Sequence, residues 1–318
     1  MDADANRWAF GLFSDDPRVP VPVRADNYTM WAALCFPDAP KELLALWCRF
    51  NALYTVIENK QEALFSTADA GSAEETWSRT VHYLYRLSHA PDLSEIPADE
   101  WGGGLPRHYV MAARSIALTL PEGLGRYFLR RVAQMATAQF QEPDAIRSPR
   151  MWLAEYLEYR HVNFGIPLFI ATIRGLMARD ISAAEWESPY RAELDRLTAH
   201  HCCLTNDLYS FQKEWNDRDG KAAHVQAVGI LSAMHGLSVQ EAIDRLAEEI
   251  EAAERSYVAL RDTVAMTPEM REYCMRLEHI TAGNLRYHQV SPRFHGRGFE
   301  GVFNGGEITV MGRPSVPR

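Results

Sequence analysis

Residues Ser238–Leu260 read SVQEAIDRLAEEIEAAERSYVAL, and their spacing decides the fold class. Ala242, Ile243, Leu246, Ile250, Ala253, Tyr257 and Leu260 recur at three- and four-residue steps, which puts them on one helical face with the acidic residues on the other. Ser238, followed three residues on by Glu241, forms a capping box that satisfies backbone amides left open in the first turn. The same period predicts helices over 41–65, near 75–88, and over 126–140, 151–162, 166–178, 188–215 and 267–290. Breakers at Pro37–Pro40, Gly102–Pro106, Pro121–Gly125, Pro143–Pro149 and Asn216–Gly220 separate them, none long enough for an interdomain linker. With no series of alternating strand segments and no internal repeat, the expectation is an all-α single domain over 1–318, irregular over 1–27 and 301–318.

The chain of 318 residues, 47% hydrophobic and 24% charged, can build a sizeable core and is no disordered or low-complexity segment. Its net charge of −9 argues against nucleic acid as a partner, because phosphate contacts need a basic face. An anionic substrate would have to be held by a few local cations or by metal. Five cysteines are an odd number, and Cys202 and Cys203 are adjacent, so reduced thiols and a cytoplasmic location are expected. The N-terminus is acidic where a secretion signal is basic, and no apolar run approaches the roughly 18 residues of a membrane span.

The chemistry concentrates in Asn206-Asp207-Leu208-Tyr209-Ser210-Phe211-Gln212-Lys213-Glu214. Helical positions i, i+4 and i+8 lie within about 80° of one another, so Asn206, Ser210 and Glu214 form one stripe of amide, hydroxyl and carboxylate oxygens. Three hard oxygen donors suit Mg²⁺, which keeps waters and substrate phosphates in its shell. A solvated polar face ending in a salt bridge explains the same spacing equally well. The apolar Leu208, Tyr209 and Phe211 between the polar positions fit an inward-facing stripe.

This segment resembles the second metal motif of the bacterial-type class I terpene synthases, N-D-x-x-S-x-x-x-E, at every fixed position. The resemblance implies the helical bundle with a central cavity of that family, Mg²⁺ on Asn206, Ser210 and Glu214, and Lys213 on the substrate diphosphate. It extends over roughly residues 28–300. Arg160 lies 46 residues before Asn206, where the family places a diphosphate-sensing arginine, and its planar fork of donors suits phosphate oxygens. Asn163, Phe164 and Gly165, followed by Pro167, match the helix break behind that arginine. Asn163 would be the linker, and the carbonyl of Phe164 or Gly165 would face the developing cation. In the C-terminal GNLRYHQVSPRF, residues Gly283, Asn284, Tyr287, Ser291 and Arg293 match the family's closing signature, with Phe294 replacing its final tyrosine. Arg293 would then bind diphosphate and Tyr287 would face the substrate, while the literal pair Arg286-Tyr287 is a decoy.

The first, aspartate-rich metal motif departs most from the pattern. Asp15-Asp16 is followed by Pro17, Pro20 and Pro22 and is rejected. The family position reads Glu58-Asn59-Lys60-Gln61-Glu62. Glu58 and Glu62 share a helical face and could bridge metals, although ordinary surface acids would look the same. His200-His201-Cys202-Cys203 lacks zinc-ligand spacing, Asp217, Arg218, Asp219 and Gly220 read as a solvated turn, and His224 and His288 read as structural. Tyr54, Phe65, Phe164, Phe169 and Tyr287 are the candidate aromatic lining. The implied activity is Mg²⁺-dependent ionisation and cyclisation of a linear isoprenyl diphosphate, farnesyl or geranylgeranyl. A transferase or lyase whose cation is trapped by water or another acceptor, or a silent prenyl-diphosphate-binding protein, are the alternatives. A homodimer is compatible with the resemblance.

Overall fold

The computed structural model describes residues 28–64, 70–90, 92–93, 104–145, 151–217 and 226–295. Among these residues every regular element is a helix and there is no strand, which agrees with the all-α expectation. In chain order they are α1 (Tyr28–Cys35), α2 (Lys41–Leu64), α3 (Ala70–His89), α4 (Gly104–Ala117), α5 (Glu122–Ala145), α6 (Leu153–Asn163) and α7 (Ile166–Leu176). There follow α8 (Ala183–Trp186), α9 (Pro189–Asp217), α10 (Ala227–His235), α11 (Val239–Thr263), α12 (Pro268–Val290) and α13 (Pro292–His295). The residues 1–27 and 301–318 expected to be irregular lie outside the described ones.

The capping box that opened the reading is present: the Ser238 hydroxyl accepts from the Glu241 amide, and the Glu241 carboxylate accepts from the Ser238 amide at 2.8 Å. Besides the four-residue α8 and α13, too short to show a period, three helices went unread, each for a physical reason. α1 and α10 are apolar almost all round, with Ala227 to Leu231 buried in succession, so they carry no amphipathic period. The Gly102–Pro106 breaker overlaps the start of α4, where Pro106 falls in the first turn and its missing N–H has no intrahelical acceptor to lose.

The long helix α9 is packed against α6, α7, α10, α11, α12 and α13. Leu194, Leu197, Cys202, Cys203, Leu204, Leu208 and Phe211 are buried along it, and so are Thr205, Asp207 and Ser210. Polar groups enclosed in this way must find partners inside the protein, because an unpaired one costs about 1–3 kcal/mol.

α12 crosses α1 at Gly283. A Cβ there would lie 2.4 Å from the Leu34 carbonyl oxygen and 2.7 Å from the Cys35 amide nitrogen, so only glycine permits this approach. The neighbouring Asn284 accepts from Trp31 Nε1 at 3.1 Å and donates from Nδ2 to the Cys202 carbonyl at 3.1 Å, joining α1, α9 and α12. Gly283→Ala is therefore expected to lower unfolding stability by about 1–3 kcal/mol, the usual cost of forcing apart packed backbone, read from the urea midpoint. All five cysteines are free and buried. No helix among the described residues is long and apolar enough to cross a membrane.

Candidate active site

α6 ends where Phe164 turns extended (φ −97°, ψ 143°), with its N–H donating to the Arg160 carbonyl at 2.9 Å. α7 begins at Ile166, with Pro167 in its first turn. The Gly165 carbonyl is taken by the Leu168 amide at 3.0 Å. The break leaves the Arg160 side chain, 14% exposed, pointing at α9. Its Nε donates to Cys203 Sγ at 3.2 Å, Nη1 to Asn163 Oδ1 at 3.1 Å, and Nη2 to Asn206 Oδ1 at 3.0 Å and Asp207 Oδ1 at 3.1 Å. The guanidinium carbon also sits 4.9 Å from the Phe164 ring centroid.

Asp207 is fully enclosed. Its second oxygen accepts from the Tyr156 hydroxyl at 2.6 Å and from the Ala227 amide at 3.2 Å, so one carboxylate ties α6, α9 and α10. Burial lifts its carboxyl above the ordinary aspartate range, opposed by the Arg160 charge and by both hydrogen bonds. Sequence reading treated Asp207 only as a fixed letter of the motif; the structure makes it the buried counter-ion of Arg160.

On the stripe, the Asn206 amide faces two ways. Oδ1 accepts from Arg160, and Nδ2 donates to His288 Nε2 at 2.9 Å. His288 Nδ1 lies 2.7 Å from the Asn284 carbonyl, which can only accept, so the ring proton is on Nδ1. Burial pushes the His288 pKa down to about 3, against the hydrogen bond to the Asn284 carbonyl and helped by the nearby Arg293 charge, so the ring is neutral. Ser210 is buried, and its Oγ accepts from Gln226 Nε2 at 3.0 Å. Gln226 Oε1 is buried without a partner. Lys213 and Glu214 belong to α9, but their side chains lie outside the described ones.

The described donors fit a hard divalent cation: an amide oxygen and a hydroxyl one turn apart on α9, with an orphaned amide oxygen beside the hydroxyl. They do not fit zinc. Cys203 Sγ already accepts from Arg160 Nε at 3.2 Å, and the adjacent Cys202 and Cys203 point about 100° apart on α9, which is not the paired spacing of a zinc set. No group of three His, Cys, Asp or Glu able to hold a metal occurs among the described residues. Glu58 and Glu62 belong to α2, and their side chains lie outside the described ones.

The C-terminal segment folds back onto this stripe. The Phe294 ring stacks on His288 at 4.3 Å and meets Tyr287 edge-on at 5.9 Å, while a His295 ring nitrogen donates to the His288 carbonyl at 2.9 Å. Arg293 is half-buried and its amide donates to Ser291 Oγ at 3.3 Å. The literal Arg286-Tyr287 pair splits, with Arg286 exposed and Tyr287 buried.

Beside the polar site, a cavity between α1, α2, α5 and α7 is lined by Trp31, Trp47, Phe50, Tyr54 and Phe169, with Gly165 of the break at its edge. Trp31 stands 4.9 Å from Phe169, 6.0 Å from Tyr287 and 6.1 Å from Phe164. Three of the expected aromatic liners thus meet on a tryptophan that sequence reading had not singled out, and Tyr54 lines the same cavity. Phe65 lies outside the described residues.

Residues 69–256, more than half of the chain, match the model of "Terpene synthase family 2, C-terminal metal binding". The chain belongs to that family. It is 28% identical over 153 residues to Microbial Terpene synthase-like protein 1 of Selaginella moellendorffii, covering 46% of this chain and 43% of that protein. It is 26% identical over 277 residues to (+)-aristolochene synthase TS1 of Penicillium expansum, covering 82% and 76%. The chain spans less than half the length of several of the curated relatives it matches. Among solved structures, a-eudesmol synthase superposes with a TM-score of 0.69 at 19% identity, over 90% of this chain and 92% of that one. The structure of 2-methylisoborneol synthase from Streptomyces coelicolor with Mg²⁺ and geranyl-S-thiolodiphosphate gives 0.67 at 17%, over 90% of each chain. These likenesses show the fold.

Proposed function

We propose that the protein is a single-domain, cytoplasmic, Mg²⁺-dependent terpene cyclase, a carbon–oxygen lyase that ionises farnesyl or geranylgeranyl diphosphate and closes the resulting cation into rings. The observation that carries this reading is the 3.0 Å contact between Arg160 Nη2 and Asn206 Oδ1. Two side chains 46 residues apart in sequence meet there, which supports reading one as the diphosphate fork and the other as the first metal ligand.

Asn206 and Ser210, with Glu214, would hold Mg²⁺, and Glu58 and Glu62 would complete the opposite side. Bound there, the metal supplies positive charge against the leaving diphosphate. Arg160, Lys213 and Arg293 take phosphate oxygens and stabilise the charge that builds on them as the allylic C–O bond breaks. Asn163 holds the Arg160 fork. Because the Gly165 carbonyl is taken by Leu168, the Phe164 carbonyl is the better placed of the two to face the cation. The aromatic cavity would offer π faces to the migrating charge, with Trp31 and Phe169 on its wall and Phe164 and Tyr287 grouped about Trp31.

Incubating purified protein with each diphosphate and Mg²⁺, followed by gas chromatography–mass spectrometry of the extract, tests the reading. Cyclic hydrocarbons are expected. Alcohols or adducts would favour a lyase or transferase whose cation is captured from outside, a reading to which Asn59 and Lys60 in the altered first motif lend weight. No turnover with any of the diphosphates would overturn the proposal. Glu62→Ala is expected to lower kcat at least about tenfold and raise the Mg²⁺ requirement, as loss of support for a metal typically does. An unchanged Mg²⁺ titration would leave metal binding to α9 alone.

A further inference from the structure

We propose that His288 is a positioning residue that fixes the orientation of the Asn206 amide, and through it the direction in which the metal-binding oxygen points. The proposal rests on the reading of Asn206 as a metal ligand. An asparagine amide turns over by rotation about its last torsion, exchanging its oxygen for an NH₂ group that cannot bind a cation. Two contacts in this site oppose that exchange. His288 Nε2 accepts from Asn206 Nδ2 at 2.9 Å, and Arg160 Nη2 donates to Oδ1 at 3.0 Å. In the flipped amide, oxygen would face the lone pair of Nε2 and NH₂ would face a guanidinium N–H.

Nε2 can act only as an acceptor because the ring proton is committed at Nδ1, 2.7 Å from the Asn284 carbonyl. Asn284 is itself held by Trp31 and by the Cys202 carbonyl, so the ring leans on a rigid crossing of α1, α9 and α12. From the other side, Phe294 stacks on the imidazole at 4.3 Å, and His295 donates to the His288 carbonyl at 2.9 Å. The segment that carries Arg293 is thus docked on the ring that aims Asn206. One side chain couples seating of the C-terminal segment to presentation of the metal ligand.

The test is Mn²⁺ binding by the 318-residue chain in the presence of inorganic pyrophosphate, followed by electron paramagnetic resonance alongside thermal unfolding. His288→Phe keeps a ring for Phe294 to stack on but removes the acceptor. It is expected to weaken Mn²⁺ binding by about tenfold, the lower range for groups that orient metal ligands, with the unfolding midpoint retained. His288→Gln, whose side-chain oxygen can accept from Asn206 Nδ2, is expected to recover most of that loss. If His288→Phe does not fold, His288→Asn, too short to reach Asn206, takes its place with the same expected loss. Wild-type Mn²⁺ binding in the acceptor-less variant, or a glutamine variant as weak as it, would overturn the proposal. Asn206→Ala run alongside separates the layers. Undiminished Mn²⁺ binding there sinks the ligand reading itself, whereas a loss there with none at His288 sinks only the positioning role.

Discussion

Asn206→Ala is expected to reduce turnover by about a thousandfold, on the order of 4 kcal/mol of transition-state stabilisation, while the protein remains folded. The side chain is partly exposed, and its removal leaves α9 and its packing intact. Arg160 Nη2 and His288 Nε2 each lose a contact, and so does the metal of the proposed site. Arg160 keeps Asp207, Asn163 and Cys203, so the guanidinium stays where it is. The predicted signature is therefore a collapse of kcat in a protein that still folds, its stability lowered by at most about 1–3 kcal/mol, the cost of one unpaired buried group at His288 Nε2. Glu214→Ala should behave alike if the stripe acts as one unit. Retained turnover in both variants would show that the metal lies elsewhere.

Arg160→Met should fail in two ways at once. It removes the phosphate fork, and it strands the Asp207 carboxylate, 2% exposed, in a dry interior with only a tyrosine hydroxyl and one backbone amide for company. Breaking a buried pair from one side typically costs about 3–5 kcal/mol, so the urea midpoint should fall as steeply as the activity. Adding Asp207→Asn to this variant removes the stranded charge and should restore much of the stability with none of the turnover. Arg160→Lys keeps a charge near Asp207 but cannot meet four acceptors from one plane. A turnover loss of roughly a hundredfold or more with a milder stability loss is expected there. Loss of activity without loss of stability in Arg160→Met would contradict the role assigned to Asp207.

What the sequence disclosed and what it concealed divide along a physical line. Periodicity reports which face of a helix is buried, so α11, α12 and most of α9 were legible, and the spacing of Asn206 and Ser210 placed both on one stripe. It does not report which distant groups meet that face. The partners of the stripe come from residues 16, 46 and 82 positions away, namely Gln226 to Ser210, Arg160 to Asn206 and His288 to Asn206. Arg160 was found only through its resemblance to a family pattern, and Asp207 was passed over although it sits inside the motif. His288 had been set aside as structural. Its four-residue separation from Asn284, which puts the two on one face of α12, was the available signal. Trp31 went unread because α1 is short and apolar throughout, and such a helix shows no contrast between its faces.

The helix break at Asn163–Gly165 has a wider implication. On one side of it lie Arg160, Asn206 and His288, carried by α6, α9 and α12; on the other lie Trp47, Phe50, Tyr54 and Phe169, carried by α2 and α7. Under the proposed function, head-group and tail-shaping residues thus stand on different helices, joined in sequence at the bend between α6 and α7 and packed together where α7 meets α9 and α12. On that reading, substitutions confined to Trp47, Phe50, Tyr54 and Phe169 change the hydrophobic wall while keeping Arg160, Asn206 and, on α2 itself, Glu58 and Glu62, so new carbon skeletons are expected from these four positions.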